Sequence, residues 1–333
     1  MKNFNFEEKK IVAEIKKHDA KRVLLQLPEG LKSEGPRLAK VIEEIGVLPL
    51  ISGDPCYGAC DIADFYSEHF KIDLIIHFGH TRMIRTEKIP TIYVTVQSTL
   101  KIRKALQASF SLLKNYQRIG LVTTVQHIQT LKFAKDLLVA SGKTVLIGNS
   151  ETLPFSGQII GCDYGAVKSI ADDVEAFLFI GGGRFHALGV ALSTMKPTVI
   201  ANPFDQEAYL LDDQVSKLLQ QHWNSIQIAK KAELFGILVG LKPGQEKFEK
   251  ALKIKKLIER KGKQTILLLI NEIIPETLIE FPTIDAYINT ACPRISIEAP
   301  IKFLKPVLTI NEFKVLFGEY SWEDLIKKGL FGK

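Results

Sequence analysis

The chain has 333 residues, of which 46% are hydrophobic and 24% are charged, and its formal net charge is +7. This composition is typical of a folded protein with two or three domains and enough length for a packed core. No apolar run reaches the roughly 18 residues that a membrane-spanning helix needs, and the charged N-terminus lacks the apolar stretch of a signal peptide. We therefore expect a cytoplasmic protein.

One pattern of strand, helix, strand and strand occurs three times along the chain. The first unit is predicted to have strands at 23–27, 47–51 and 74–78 and a helix at 33–45. The second has strands at 119–125, 144–147 and 176–180 and a helix at 128–141. The third has strands at 235–241, 264–270 and 286–289 and a helix at 245–260. Gly46, Gly142 and Gly262 follow the three helices, as glycine does at helix ends.

Continuous apolar strands that alternate with amphipathic helices predict parallel sheets covered on both faces. The predicted fold class is therefore α/β, with three similar parallel-sheet domains around a pseudo-threefold centre. We place the domains at 1–105, 106–220 and 221–333, joined by helical connectors near 98–116 and 212–231.

The four cysteines are Cys56, Cys60, Cys162 and Cys292. Cys60 and Cys162 occupy corresponding loops after the second strand of their units, whereas Cys292 follows the third strand of its unit. Ligands bind at the carboxyl ends of the strands in open parallel sheets, so three such loops are expected to converge. A reducing compartment argues against disulfides.

The residues around the cysteines are turn formers and charged residues, not the apolar neighbours of an inert buried thiol, which is the alternative reading. Paired knuckles typical of structural zinc are absent from the sequence, whereas iron–sulfur clusters take cysteines from distant segments. Three thiolates would leave one iron open for substrate. The first loop offers either Cys56 or Cys60. We favour Cys60 because Asp61 to Asp64 are predicted to begin a helix, whose dipole stabilises a thiolate.

Six segments together resemble the archaeal diphthamide-synthesis radical enzymes, the 2-(3-amino-3-carboxypropyl)histidine synthases, over nearly the whole chain. They are LQLPEGL (25–31), YGACD (57–61), HFGH (77–80), GC (161–162), GGGRFH (181–186) and NTACPR (289–294). The CxxxCxxC loop of the common radical enzymes that use S-adenosylmethionine is missing from the sequence, which fits this family.

The resemblance implies that Cys60, Cys162 and Cys292, one from each domain, hold a [4Fe–4S] cluster, with Cys56 as a bystander. It implies that S-adenosylmethionine, the co-substrate, is cleaved to a 3-amino-3-carboxypropyl radical and methylthioadenosine. The radical adds to carbon 2 of a histidine imidazole in translation elongation factor 2, the protein substrate. The family also implies a homodimer and an electron donor, with no membrane and no direct nucleic-acid partner.

Further candidates lie on loops that follow strands. Gly181, Gly182 and Gly183 would let the cofactor approach the backbone, and Arg184 would meet the substrate carboxylate. Asp54 and Glu29 would orient the substrate amino group. His186 is a candidate catalytic residue, and Arg294 a second one that would also tune the charge of the cluster. His77 and His80 are either hydrogen-bonded core residues or catalytic ones.

Two other functions fit parts of the pattern. Quinolinate synthase also combines three similar domains with a three-cysteine cluster, but it would use the open iron for dehydration without S-adenosylmethionine. A non-enzymatic α/β module that binds RNA through the positive charge would be colourless, and its binding would weaken with salt.

Overall fold

The computed structural model describes residues 3–84 and 87–331, and within them the chain forms three consecutive mixed α/β units. Each unit has its own sheet, in which the first strand of the unit lies between the second and the third. All strand pairs within the three sheets are parallel except one. The predicted α/β class with several parallel sheets is therefore confirmed.

The first unit contains one small antiparallel pair and one parallel sheet. Its elements are β1 (Phe4–Asn5), α1 (Glu8–Lys17), β2 (Arg22–Gln26), α2 (Gly35–Glu43), β3 (Leu48–Ile51), α3 (Ser67–Phe70), β4 (Leu74–Phe78), β5 (Thr91–Val94) and β6 (Gln97–Ser98). The sheet order is β3-β2-β4-β5, and β1 pairs with β6. Val23 and Leu25 pack on one face of this sheet and Leu24 on the other, as alternation along a strand requires.

The second unit contains a five-stranded sheet of order β11-β10-β9-β7-β8. Its elements are α4 (Arg103–Leu112), β7 (Arg118–Thr123), α5 (Leu131–Ala140), β8 (Thr144–Leu146), α6 (Gly165–Lys168), β9 (Ala176–Ile180), α7 (Phe185–Thr194), β10 (Thr198–Asn202) and β11 (Glu207–Leu210). The edge strand β11 is the one antiparallel member. Separate apolar clusters cover the two faces of this sheet.

The third unit contains a parallel sheet of order β13-β12-β14-β15. Its elements are α8 (Asp212–Ala229), β12 (Leu234–Gly240), α9 (Phe248–Arg260), β13 (Gln264–Ile270), α10 (Pro275–Ile279), β14 (Ala286–Asn289), α11 (Pro293–Lys302), β15 (Val307–Leu308), α12 (Ile310–Leu316) and α13 (Trp322–Lys328). Among the helices of the described ranges, none combines the length and the apolar character needed to cross a bilayer.

The helices that follow the first strand of each unit begin later than predicted. Short 3-10 turns at Glu29–Glu34 and Val125–Thr130 precede α2 and α5, so these helices begin at Gly35 and Leu131. The glycine stops are confirmed: Gly46, Gly142 and Gly262 have φ values of 78°, 85° and 77°. The strands β5, β10, β11 and β15 were not predicted. They are short, and each of them pairs with only one or two neighbours in its sheet.

An acidic residue at the same place in each unit ties the first strand to the third. Asp73, Glu175 and Asp285 directly precede β4, β9 and β14. One carboxylate oxygen of each accepts two backbone N–H groups at the start of β2, β7 or β12, at distances of 2.5 to 3.0 Å. These N–H groups lie at the very start of the strand, where the neighbouring strand does not accept them. The carboxylate therefore supplies the hydrogen-bond acceptor that they would otherwise lack. The same device in all three units supports the repeat.

Candidate functional site

A cavity of about 450 Å³ lies among loops that leave the carboxyl ends of strands from all three sheets. The first sheet contributes the loops after β2, β3 and β4, the second those after β7, β8 and β9, and the third the segment after β14. This is the edge of parallel sheets at which ligands bind. All four cysteines line this one cavity, and all are free thiols.

The three predicted ligand thiols are half-buried and interact electrostatically with one another. Burial raises the pKa of Cys60 to about 11 and that of Cys162 to about 12, and it also raises the pKa of Cys292. Charge on Cys60 and on Cys292 raises the pKa of Cys162 further. Bare thiolates are therefore unfavourable here, whereas bound iron would replace the protons and compensate the clustered negative charge.

The helix that begins beside a predicted ligand thiol belongs to Cys292, not to Cys60. Cys292 is the N-cap of α11, its carbonyl accepts the Ile295 N–H at 3.2 Å, and the backbone N–H groups of Arg294 and Ile295 lower the pKa of its thiol against the effect of burial. The prediction of a helix beginning at Asp61 was wrong. After Cys60 the chain first forms a 3-10 turn at Asp64–Tyr66 and then the four-residue α3.

Cys56 lies deeper than the other three thiols, with only 1% of its surface exposed. Burial raises its pKa to about 12. Its sulfur and one ring nitrogen each of His77 and His80 lie within 4.8 Å of one another. Cys56 thus lines the same cavity as the other thiols but lies beside two histidines of its own unit.

A chain of hydrogen bonds fixes the protonation of His77. The side-chain amide of Gln26 donates through Nε2 to the Asp61 carbonyl and accepts the Ala63 N–H at Oε1, 3.2 Å away, so its orientation is set. Oε1 lies 2.9 Å from His77 Nδ1, which must therefore donate. Burial lowers the pKa of His77 well below 6.5, so the ring is neutral and Nε2 carries a lone pair.

His77 in turn fixes the tautomer of His80. His80 Nδ1 lies 2.9 Å from His77 Nε2 and must donate to it. Burial lowers the pKa of His80 to about 4, against the effect of a hydrogen bond to the Phe78 backbone, so the ring is neutral and its lone pair lies on Nε2. His80 is also one of the residues that line the cavity.

Three of the other predicted site residues also line the cavity: Glu29, His186 and Arg294. Burial lowers the pKa of His186 to about 4, and the Arg294 charge contributes. The Arg294 guanidinium lies 4.5 Å from the centroid of the Phe185 ring. Glu29 is already engaged, since it accepts the Cys56 N–H at 3.3 Å and pairs with Lys32 at 3.0 Å.

The structure does not bring Arg184 and Asp54 to the cavity wall. Arg184 lines a separate groove beside α8, with its guanidinium 5.8 Å from the centroid of the Tyr209 ring. Asp54 is exposed and accepts the Tyr66 hydroxyl.

The triple glycine is also absent from the wall, and ring contacts occupy the space beside two of its residues. A Cβ on Gly181 would lie 2.8 Å from the Phe179 ring, and one on Gly182 would lie 2.7 Å from the Phe204 ring. At these two positions the absence of a side chain makes room for aromatic rings, and the assignment of the three glycines to the cofactor stays a prediction.

The sequence reading missed Lys242, Gln245 and Lys247, all near the loop after β12. Gln245 contacts the Cys60 sulfur, and the Lys247 charge lowers the pKa of both Cys162 and Cys292 against the effect of burial. Their position after the first strand of the third unit was the available signal, because the equivalent loops of the other units also reach the cavity.

The fold and the site together define an α/β protein in which loops from three sheets contribute thiols to one cavity. Residues 27–326 match the family model described as "Putative diphthamide synthesis protein". The chain belongs to the diphthamide synthesis protein family.

Individual relatives agree with this assignment. The chain is 35% identical over 321 residues to the 2-(3-amino-3-carboxypropyl)histidine synthase of Pyrococcus horikoshii, covering 95% of this chain and 92% of that protein. It is 31% identical to subunit 1 of the Schizosaccharomyces pombe synthase, covering 97% of this chain and 76% of that protein. The crystal structure of Dph2 from Pyrococcus horikoshii with a 4Fe-4S cluster superimposes with a TM-score of 0.87 at 34% identity, covering 96% and 93% of the two chains.

Proposed function

We propose that this chain transfers the 3-amino-3-carboxypropyl group of S-adenosylmethionine to carbon 2 of a histidine imidazole in translation elongation factor 2. The reaction would be the first step of diphthamide synthesis, and the protein a radical transferase. The observation that supports it most directly is the single cavity lined by Cys60, Cys162 and Cys292, one thiol from each sheet. Relatives named as synthases of the same modified histidine support it independently.

The proposed site is a [4Fe–4S] cluster held by these three sulfurs, in three domains at 1–105, 106–220 and 221–333 around a pseudo-threefold centre. Half-buried, mutually interacting thiols fit such a cluster, and a related structure contains one. When bound, the cluster would supply one electron to the sulfonium of S-adenosylmethionine and take one electron back from the modified imidazole. The carbon–sulfur bond to the aminocarboxypropyl group breaks, which yields that radical and methylthioadenosine.

The residues of this chain would bind and orient S-adenosylmethionine and would remove the proton from carbon 2 of the target imidazole. We assign Arg294, at the N-terminus of α11, to the substrate carboxylate, and His186 on the same wall to substrate contact. After the radical adds to carbon 2, the imidazole must lose the proton at that carbon as well as one electron to become aromatic again. We assign His80, whose neutral ring lines the cavity and carries its lone pair on Nε2, to accept that proton.

The test is anaerobic turnover. Purified protein with a reconstituted cluster is reduced, mixed with S-adenosylmethionine and elongation factor 2, and assayed for methylthioadenosine and for the mass of the modified histidine. We expect both products. The Cys60→Ala, Cys162→Ala and Cys292→Ala variants should lose the brown colour and both products, whereas Cys56→Ala, the matched control, should keep them.

Three results would contradict the proposal. An intact reduced cluster that forms no methylthioadenosine would favour a dehydratase like quinolinate synthase. A colourless protein with salt-sensitive RNA binding would indicate a binding module. Loss of the cluster in Cys56→Ala alone would show that the ligand set is wrong.

We also propose, from the family resemblance, that the active form is a cytoplasmic homodimer served by a separate electron donor. Light scattering of the cluster-loaded protein should give twice the 37.3 kDa mass of one chain. A monomer with full activity would contradict this part alone.

A further inference from the structure

The loop after β12 in the third unit reaches across to the Cys60 loop of the first unit. The Gly244 N–H donates to the Cys60 carbonyl at 2.8 Å. The approach is so close that a Cβ on Gly244 would lie 2.6 Å from Cys60 Cβ and 2.7 Å from Cys60 Cα. Glycine is therefore required here, and the two backbones are held in fixed register.

The buried side chain of Lys242, in the loop after β12, contacts the Cys60 loop on both sides of Cys60. Lys242, whose side chain is 7% exposed, pairs with Asp61 at 2.5 Å and with Glu272 at 2.7 Å. Its ammonium also lies 5.1 Å from the centroid of the Tyr57 ring. Because Tyr57 and Asp61 flank Cys60 in sequence, this pairing fixes the Cys60 loop relative to β12.

The same loop also provides a side chain, Gln245, that contacts the Cys60 sulfur. Gln245 is buried, and its Nε2 donates to Cys60 Sγ at 3.4 Å, within the range of a hydrogen bond to sulfur. An N–H group aimed at a sulfur from a buried side chain stabilises negative charge on that sulfur. A backbone turn, Gln245 N–H to the Lys242 carbonyl at 2.9 Å, sets the position of the side chain.

We propose that Gln245 is a positioning residue that raises the reduction potential of the cluster through its hydrogen bond to the Cys60 sulfur. The inference rests on the proposed function, because it requires a cluster on Cys60. An electron added to an iron–sulfur cluster increases the negative charge on its sulfurs. A buried N–H donor aimed at one sulfur stabilises the reduced state more than the oxidised state. Reduction of the cluster by its electron donor, which must precede cleavage of S-adenosylmethionine, is then more favourable.

The experiment is a redox titration of the reconstituted protein followed by electron paramagnetic resonance. Gln245→Leu removes the donor and keeps the approximate shape. Gln126→Leu is the matched control, because Gln126 lines the same cavity and donates to the Gly79 carbonyl, not to a cysteine. We expect a more negative midpoint potential for Gln245→Leu at wild-type iron content. Gln126→Leu should keep the wild-type potential.

Gln245→Asn and Gln245→Met serve as companions, since the first retains an amide donor and the second restores length without one. An unchanged potential in both Gln245→Leu and Gln245→Met would overturn the inference. A folded variant that cannot hold iron would overturn it too, because the role would then be assembly. Wild-type protein without a cluster would refute the proposed function instead, so the two failures are distinguishable.

Discussion

His80 Nδ1 lies 2.9 Å from His77 Nε2, and this contact decides which nitrogen of His80 carries the proton. His77 cannot donate at Nε2 because its only proton is committed to Gln26. His80 therefore donates from Nδ1 and keeps its lone pair on Nε2.

From this geometry we predict that His80→Leu uncouples the two halves of the proposed reaction. Methylthioadenosine should still form, while the yield of modified histidine per methylthioadenosine should fall about 100-fold, the lower end of what a general base contributes. Mass spectrometry of both products measures the ratio. His69→Leu, at an exposed histidine outside the cavity wall, should keep the wild-type ratio. Equal ratios in all three proteins would exclude His80 as the proton acceptor.

A second prediction concerns the contact between the first and third units. Gly244→Ala should lower the iron content and the cluster stability, because the new methyl group would collide with Cys60. Gly30→Ala is the control: Gly30 lines the same cavity, yet a Cβ there meets nothing within 4 Å. Iron analysis after reconstitution compares the two variants. Full iron loading of Gly244→Ala would show that the Cys60 loop can move without losing the cluster.

The acid that ties strands together in each unit gives a third prediction. Two backbone N–H groups lower the pKa of Asp285, so its contribution to stability exists above the unfolded pKa of about 3.8 and is lost as the pH falls through the lower folded value. Asp285→Asn should cost about 1 kcal/mol at pH 7, a modest value because the carboxylate is exposed. Urea unfolding of cluster-free protein measures it. Asp136→Asn, at an exposed carboxylate on α5, should cost nothing measurable, and a similar loss in both variants would contradict the strand-tying role.

Buried histidines predict acid sensitivity well above pH 4. Burial lowers the pKa of His77 well below 6.5, and those of His80, His127 and His186 to about 4. Between the unfolded histidine pKa of about 6.5 and the folded pKa values of about 4, the unfolded chain binds protons that the folded chain does not. The free energy of unfolding therefore falls as the pH drops from about 7 toward 4. Each histidine contributes up to about 1.4 kcal/mol per pH unit. Urea midpoints at pH 7, 6 and 5 measure the slope, and His127→Leu should reduce it by one proton; an unchanged slope would contradict the assignment.

The sequence predicted four strands with the bounds that the structure has, namely Leu74–Phe78, Ala176–Ile180, Gln264–Ile270 and Ala286–Asn289. Three of them are fully buried, and the edge strand Gln264–Ile270 is an apolar run bounded by turn residues, so each is a short continuous segment that is easy to delimit. Helix beginnings were less accurate. The pattern of apolar residues does not distinguish the 3-10 turns that follow β2 and β7 from the helices after them.

At the site, the sequence identified thiols that the structure brings to one cavity, since each follows a strand of a parallel sheet. It could not identify the Gln245 contact with Cys60, which joins residues of different units and has no local pattern. The helix dipole was assigned to the wrong cysteine because Pro293, a favoured first residue of a helix, was overlooked after Cys292. Sequence alone also could not show that aromatic rings of the chain itself lie where side chains at 181 and 182 would be.

The distribution of the three sulfurs over three sheets also bears on the order in which the protein is synthesised, folded and loaded with its proposed cluster. A chain still being synthesised contains at most two of these thiols until Cys292 emerges, late in translation, and even then they lie apart until β14 has joined its sheet. The proposed three-cysteine site is therefore incomplete on a half-made polypeptide. Loading of the proposed cluster would have to follow the folding of the third unit, and a chain truncated before Cys292 would lack one of the three proposed ligands.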